Sequence, residues 1–238
     1  MARSRMPAVS KDDFASSSNA WTQEFVDRAL RSGPATQRVL DVGGGRSPAF
    51  PPAARPAAWH YVGLDVSRGE LEGAPIGSYD EIVVGDVGIR IPELVGNFDL
   101  IVSWQLFEHV KPLDRAMENL HAYLHPGGHL VAQLSGAFSF FGILGRVLPL
   151  EVTKRALARV QQRPRETVFR THYHRCWFSA LRRMTSTWAE VEIVPRWGGD
   201  AYLKFSPMLT ALNERYERWA DRHGHANLAT HYIIDAEK

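Results

Sequence analysis

Residues 38–47 read Arg-Val-Leu-Asp-Val-Gly-Gly-Gly-Arg-Ser, a short apolar run followed by three glycines. Val39, Leu40 and Val42 form a short apolar run, rich in β-branched residues, that predicts a buried strand. Three glycines follow directly, and glycine accepts positive φ and lets the backbone approach a ligand closely. Asp41 therefore stands near the carboxyl end of the predicted strand, at the edge where ligands bind in open α/β sheets.

Four more apolar runs with the character of strands follow this stretch. They cover residues 61–66, 82–84, 98–103 and 129–134. The first ends in Asp65-Val66, and Asp65 comes about 24 residues after Asp41, near the spacing of an acidic residue that binds a ribose. Gly85-Asp86-Val87 follows the run at 82–84, and Glu108-His109-Val110 follows the run at 98–103. Pro126-Gly127-Gly128 precedes the run at 129–134.

This succession resembles the class I S-adenosylmethionine-dependent methyltransferases, especially the small-molecule and glycan branch with a strand-end Glu-His-Val and a later Pro-Gly-Gly turn. The resemblance covers about residues 38–134. It implies an α/β fold, a Rossmann-like seven-stranded and mostly parallel sheet with helices on both faces and an antiparallel last strand. Residues 1–17 are expected to be a flexible leader and 18–238 a single methyltransferase domain. A helical acceptor-side insertion is expected at about 135–185.

The resemblance also implies where S-adenosyl-L-methionine binds. The turn at Gly43, Gly44 and Gly45 would approach the methionine part of this cofactor. Asp65 would accept hydrogen bonds from both ribose hydroxyls, because an ionised carboxylate accepts and never donates. Asp86 would accept from the adenine amine, and Val87 would lie against the ring. The remaining cofactor-binding candidates at the strand ends are Asp41, which orients the loop or reaches the cofactor amine through water, and Val66, Gly85, Ser103, Trp104 and Gln105.

The chain departs from the family pattern just after the glycine turn. The last glycine of the pattern Asp-x-Gly-x-Gly-x-Gly falls on Ser47, and four prolines between 48 and 56 interrupt the helix expected there. This helix is predicted to be short or displaced. A nicotinamide-binding Rossmann domain, the nearest competitor, needs that glycine, and the Glu-His-Val and Pro-Gly-Gly motifs favour the methyltransferase.

Periodicity and breakers predict the other elements. Helices are expected at about 20–30, 112–124 and 205–223, and strands at 191–194 and 230–234. The stretch 66–79 is rich in Gly, Ser and Pro, so the second crossover helix is predicted to be reduced to a turn.

The composition sets outer limits on the function. The chain has 238 residues and a net charge of +2, which carries no nucleic-acid signature. A single cysteine, Cys176, excludes an internal disulfide and a cysteine-built metal site. His121, His125 and His129 have ligand-like spacing, but the Pro-Gly-Gly turn separates the last two, so no metal is predicted. With no signal sequence and no apolar run near ~20 residues, a cytoplasmic protein is expected, with peripheral membrane contact left open.

The insertion changes character along its length. Residues 137–150 are apolar and aromatic, whereas 151–183 hold nine Lys/Arg against two Glu, a local charge of +7. Residues 153–160 have an amphipathic pattern that suits either a lid over the acceptor or a membrane contact. The candidates for acceptor binding are Phe138, Tyr173, His174 and Arg175. The candidates for a catalytic base are His109 and His172, with Glu108 as a fallback.

The absence of two motifs limits the classes of molecule that the chain is expected to methylate. The fourth strand leads into Ser103-Trp104-Gln105-Leu106 where amino-methylating nucleic-acid enzymes carry an Asn/Asp-Pro-Pro-aromatic tetrad, and Cys176 does not follow a proline. A nucleic-acid acceptor is therefore disfavoured. O-methylation of a hydroxyl on a sugar, glycolipid, polysaccharide precursor or other small molecule remains. The alternative is a binding module on this fold whose basic insertion docks anionic lipid or nucleic acid, with catalysis secondary or lost. The oligomeric state stays open.

Overall fold

The computed structural model describes residues 20–32, 37–139, 171–198 and 207–238. The strands are β1 (Gln37–Val42), β2 (Trp59–Asp65), β3 (Glu81–Val84), β4 (Phe98–Trp104), β5 (Leu124–Ser135), β6 (Glu190–Arg196) and β7 (His231–Glu237). The α-helices are α1 (Ala20–Arg31), α2 (Arg68–Glu72), α3 (Leu113–Tyr123), α4 (Phe178–Met184) and α5 (Pro207–Arg222). Among the described residues no helix is long and apolar enough to cross a membrane.

All seven strands form one sheet in the order β3-β2-β1-β4-β5-β7-β6. Strands β1 to β5 pair in parallel, and β7 runs antiparallel to both β5 and β6. The predicted fold class, including the antiparallel last strand between its neighbours, is confirmed. Because the parallel strands end at one edge, the turns after β1, β2, β3 and β4 lie side by side there, and β7 begins at the same edge.

Helix α1 covers one face of the sheet. Its buried face, Phe25, Val26 and Ala29, packs with residues of β1, β4 and β5. Trp21, near the helix start, approaches Trp104 at the end of β4, with ring centroids 6.5 Å apart. The predicted helix at 20–30 is confirmed, and it reaches from the sheet face to the carboxyl edge.

The first two crossovers carry little helix. Between β1 and β2 the described chain forms only a 3₁₀ turn at Pro52–Ala54, and α2 has five residues. The reduced crossover after β2 is confirmed, and the prolines remove the first α-helix altogether. Phe50 is fully buried and stacks on Phe25, so an aromatic side chain fills the volume that a helix would otherwise cover.

Strand β5 differs from its predicted start at 129. It begins at Leu124, directly after α3, and its pairing with β4 jumps from Phe98–Leu124 to Leu100–His129. The four residues between are looped out, and Gly127 has a φ of 78°. The Pro-Gly-Gly turn is therefore an irregularity within the strand pairing rather than a connection before it.

A buried arginine ties α1 to the far end of the sheet. Arg28 is 9% exposed and contacts Glu24, Glu192 and Asp235 at 3.0, 2.6 and 3.3 Å. Glu192 and Asp235 are direct cross-strand partners on β6 and β7. Two carboxylates in such a pair repel each other, and the guanidinium of Arg28 offsets this repulsion.

Replacing Arg28 by Ala should lower the free energy of unfolding by about 2 kcal/mol, because Glu192 and Asp235 lose the guanidinium between them, while Glu24 keeps its ion pair with Arg196. Urea unfolding monitored by circular dichroism measures the change. The control is Arg31→Ala, on the exposed side of the same helix, which should shift stability by less than about 0.5 kcal/mol. Equal effects of the two substitutions would contradict the role given to Arg28.

Candidate functional site

The glycine turn after β1 is shaped mainly by its protein neighbours. Gly43 and Gly45 have φ values of 78° and 50°, a region that favours glycine. A Cβ on Gly43 would stand 2.6 Å from the side chain of Leu106, and one on Gly44 would stand 2.5 Å from Asp41 Oδ2. Packing therefore requires glycine at both positions, and the turn lies directly against the chain that follows β4.

Asp41 organises the loop that replaces the first helix. Its Oδ2 accepts hydrogen bonds from the Ala49 backbone N–H at 2.7 Å and the Tyr61 hydroxyl at 2.9 Å. Tyr61 in turn accepts from the Phe50 N–H at 3.1 Å. Burial raises the pKa of Asp41 to about 7, against the lowering effect of its hydrogen bonds. Of the two predicted roles, the geometry matches orienting the loop.

Asp65 closes β2 opposite the glycine turn. Its Oδ1 accepts from the Ser67 N–H at 2.9 Å, and its Oδ2 lies 3.4 Å from the position of a Cβ on Gly45. Burial raises the pKa of Asp65, and the backbone amides of Ser67 and Val66 oppose that rise. The absent side chain at Gly45 thus leaves room beside a half-buried carboxylate.

Two contacts that sequence reasoning missed hold this turn in place. Tyr79 donates its hydroxyl hydrogen bond to the Gly45 carbonyl at 2.9 Å. Arg46 forms a two-pronged ion pair with Glu70 on α2, with both N–O distances 2.7 Å. Arg46 and Glu70 are 24 residues apart and Tyr79 lies in a coil segment, so local patterns carry no sign of these contacts.

The end of β3 presents its carboxylate to solvent. Asp86 is exposed, and its Oδ1 accepts from the Gly88 N–H at 2.8 Å. Val87 is 5% exposed and packs in the main core, whereas Val66 at the end of β2 is 64% exposed. A Cβ on Gly85 would stand 2.6 Å from the terminal methyl group of Ile91, so a side chain there would displace Ile91.

At the end of β4, two residues pack against neighbouring elements and the next residue has a strained backbone. Ser103 is buried and donates to the Val42 carbonyl at 3.0 Å, which ties β4 to β1. Trp104 packs edge-on against Phe25. Gln105 has a φ of 53°, which a residue with a side chain adopts only where its surroundings hold it. Its N–H donates to the Gln133 carbonyl at 2.9 Å.

The next turn brings the base candidates together. Glu108 is 4% exposed, and its Oε2 has no hydrogen-bond partner among the described residues. Burial raises the pKa of Glu108, against the lowering effects of His109 and Ser135. The Glu108 carbonyl accepts the N–H groups of His172 at 2.7 Å and Tyr173 at 2.9 Å. The returning end of the insertion is therefore fastened beside His109.

Some of the acceptor-binding candidates on the insertion hold the chain in place, and others have side chains that are partly or fully exposed. His174 accepts from the Leu113 N–H at 3.3 Å, and Arg175 pairs with Asp114 at 3.6 Å, so both fasten this segment to the start of α3. Tyr173 is 8% exposed. Phe138 is half-buried and lies 5.6 Å from Trp177 between ring centroids. His172 is exposed.

Part of the predicted insertion lies outside the described residues. The apolar stretch beyond residue 139, the amphipathic segment 153–160 and the leader at 1–17 all fall there. Within the described ranges no group of three or more His, Cys, Asp or Glu side chains is arranged to hold a metal ion.

The sequence matches a family model described as a methyltransferase domain, over residues 17–186. The chain belongs to this family. This confirms the prediction of a class I S-adenosylmethionine-dependent methyltransferase. It also confirms the prediction that S-adenosylmethionine is the cofactor. No curated protein sequence matches the chain significantly.

Solved structures share the fold of this methyltransferase at low sequence identity. The Haemonchus contortus phosphoethanolamine N-methyltransferase 2, in complex with phosphomonomethylethanolamine and S-adenosylhomocysteine, has a TM-score of 0.54 and 16% identity over 91% of this chain. This chain spans 52% of the length of that protein. An S-adenosylmethionine-dependent methyltransferase from Mesorhizobium loti has a TM-score of 0.52 and 19% identity over 92% of this chain and 98% of its own.

A third comparison widens the chemistry represented on this fold. The CurJ carbon methyltransferase has a TM-score of 0.52 and 13% identity, over 88% of this chain and 50% of its own. The three proteins therefore share the fold of the methyltransferase, while their names include both N- and C-methylation.

The residues at the carboxyl edge of the methyltransferase fit its cofactor. Gly45 brings the backbone close to the Asp65 carboxylate, and within the described structure the backbone N–H groups of Gly44 and Gly45 donate to no protein acceptor. Unpaired donors and a carboxylate acceptor on facing sides suit a ligand with a carboxylate at one end and ribose hydroxyls at the other.

The raised pKa of Asp41 makes the stability of the methyltransferase depend on pH. Because the folded pKa, about 7, exceeds the ordinary 3.8, the protonated form is favoured on folding. The contribution is complete below about pH 4 and is lost as the pH rises through 7, by up to about 4 kcal/mol. Asp41→Asn, which cannot ionise, should lose less stability over this range.

Urea unfolding at a series of pH values between 4 and 8 tests this dependence. Asp27→Asn, an exposed substitution on α1, is the control and should follow the wild type. If the difference between Asp41→Asn and wild type stays constant with pH, the raised pKa is contradicted.

Proposed function

We propose that the protein is an O-methyltransferase that transfers the methyl group of S-adenosylmethionine to a hydroxyl on a sugar, glycolipid, polysaccharide precursor or other small molecule. The observation that carries this proposal is the position of the base candidates. Leu106 contacts the glycine turn, and Glu108 and His109 follow it within one turn of chain. A proton acceptor therefore stands beside the expected cofactor site.

On the cofactor side, the chain supplies binding and orientation. Asp65 would accept hydrogen bonds from the ribose hydroxyls, Asp86 would bind the adenine amine, and the exposed Val66 would contact the adenine. The N–H groups of the glycine turn would bind the carboxylate of the methionine part. Arg46 and Glu70 keep the turn and α2 at a fixed separation, because their ion pair spans the two elements. The bound cofactor supplies an activated methyl group on a sulfonium.

On the acceptor side, the chain removes a proton and limits the access of water. An alcohol is a poor nucleophile until a base takes its proton, and histidine titrates in the right range. His109 is the proposed base, because its place after β4 follows from the sheet alone. His172 is the second candidate, and its N–H bond to the Glu108 carbonyl brings its backbone beside the same turn. The half-buried Phe138 offers an apolar surface to the acceptor.

Oxygen is proposed as the methylated atom on the strength of this base cluster. Relatives of this fold include N- and C-methyltransferases, so the fold by itself does not select the atom. A hydroxyl acceptor needs a base close to the methyl donor, and Glu108, His109 and the backbone of His172 meet in the turn that follows β4. The alternative, a binding module with catalysis secondary or lost, depends on basic residues that lie largely outside the described ranges.

The cofactor site is tested by calorimetry. S-adenosylmethionine and S-adenosylhomocysteine should both bind, and Asp65→Ala should weaken both by about 1–3 kcal/mol, because ribose hydroxyls lose their acceptor. Glu72→Ala, an exposed carboxylate on α2, should bind as the wild type does. Unchanged affinity of Asp65→Ala would remove Asp65 from the proposed site.

The base is tested by kinetics on an acceptor found by screening hydroxylated compounds with labelled cofactor. His109→Ala should lower kcat by about 10²–10⁴-fold while cofactor affinity stays unchanged, since a general base acts only in the transfer step. His172→Ala is measured in parallel, and the exposed His125→Ala is the control.

The outcomes of these assays separate the candidates. If only His172→Ala slows turnover, the base lies on the insertion. If neither histidine substitution slows turnover tenfold but Glu108→Gln does, the carboxyl of Glu108 takes the proton. If the enzyme methylates only amines and no hydroxylated compound in the screen accepts a methyl group, the proposal of O-methylation is wrong.

A further inference from the structure

Helix α5 lies at the same edge of the sheet as the glycine turn. It connects β6, whose last residue is Arg196, to β7, whose first residue His231 pairs with Ser135 at the end of β5. Glu217 fastens the helix to both ends of this connection, because its carboxylate accepts from the Gly198 N–H at 3.0 Å and from the Thr230 hydroxyl. The helix is therefore held at the carboxyl edge of the sheet, beside the end of β6 and the start of β7.

The outer face of α5 is apolar and basic at once. Met208, Leu212, Arg215, Trp219 and Arg222 recur at the spacing of one helical stripe, and all five are exposed. The three apolar members are 77%, 59% and 47% exposed. Large apolar side chains clustered on a surface mark a contact site more often than a solvent face.

The acidic residues of α5 form their contacts with groups outside this stripe. Glu217 is buried, Asp221 accepts from the Trp197 indole N–H at 2.9 Å, and Glu214 pairs with Arg218 at 3.7 Å. Within the described part of the chain, Arg215 and Arg222 form no ion pair. The stripe thus carries two free cations beside three apolar side chains.

Near the C-terminal end of the stripe, Trp219 lies beside two histidines. The Trp219 ring lies 5.4 Å from the His223 ring and 4.9 Å from the His225 ring, between centroids, and both histidines are exposed. Tryptophan beside basic residues is typical of helices that lie in the interface of a membrane, where the indole sits at the level of the headgroups.

We propose that this stripe docks the protein on an anionic lipid surface, with the carboxyl edge of the sheet turned toward the bilayer. Met208, Leu212 and Trp219 enter the headgroup region, and Arg215 and Arg222 bind lipid phosphates. The inference does not depend on the identity of the methyl acceptor, because docking is measured without one.

A second copy of the chain fits the stripe less well. A helix of 16 residues is about 24 Å long, so a stripe about 10 Å wide offers about 240 Å². A stable dimer needs about 800 Å² from each partner. Two copies packed through this stripe would also bring their unpaired arginines together, whereas a lipid surface supplies the missing negative charge.

The test is co-sedimentation of the full chain with vesicles of phosphatidylcholine alone and of phosphatidylcholine mixed with phosphatidylglycerol. The wild type should bind only the anionic vesicles, and binding should fade as salt is added. The double variant Arg215→Gln/Arg222→Gln should bind at least about tenfold more weakly. Trp219→Ala should also weaken binding, with its fold checked by circular dichroism.

The matched control removes the same charge elsewhere. Arg31→Gln/Arg115→Gln changes two exposed arginines on α1 and α3 and should bind as the wild type does. The proposal is overturned if the wild type does not bind anionic vesicles at low salt, or if both double variants bind equally. It is also overturned if light scattering shows a dimer that only the α5 variant loses while vesicle binding persists.

Discussion

The buried carboxylate of Asp41 is the interaction on which the carboxyl edge depends. Four prolines deny the chain a helix after β1, so the loop needs another source of order. Asp41 provides it by accepting from Ala49 and Tyr61 at once, and Tyr61 in turn holds Phe50. Burying a carboxyl group costs free energy unless hydrogen bonds compensate, and the raised pKa of Asp41 shows that they do so only in part.

A similar constraint acts at the end of β4. The backbone carbonyl of Glu108 accepts two N–H groups from the returning insertion, and its carboxyl group is buried. Strained backbone stands on both sides of it, at Gln105 and at Tyr173. Strain of this kind persists only where the surroundings enforce it. The turn that carries the proposed base is therefore held both by the end of β4 and by the returning end of the insertion.

The parallel order of the sheet explains why separate features converge on one edge. The turns after β1 to β4 end there, and β7 starts there because it runs antiparallel to its neighbours. Helix α5, which leads into β7, must then lie at that edge too. The proposed cofactor site, the proposed base and the proposed docking surface all lie at this edge, because the parallel strands end there and β7 begins there.

Apolar runs, glycine turns and strand-end acids are local patterns, so the sequence predicted the strands and the carboxylates at their ends, whereas the parallel order followed from the family resemblance. Only the tertiary structure decided what each residue does there. Gly43 and Gly44 are required by Leu106 and Asp41, and Val87 lies in the core, where its sequence position had suggested a ligand contact. Contacts such as Arg46 with Glu70 join residues far apart in the chain, and no local pattern encodes which distant side chain will arrive opposite.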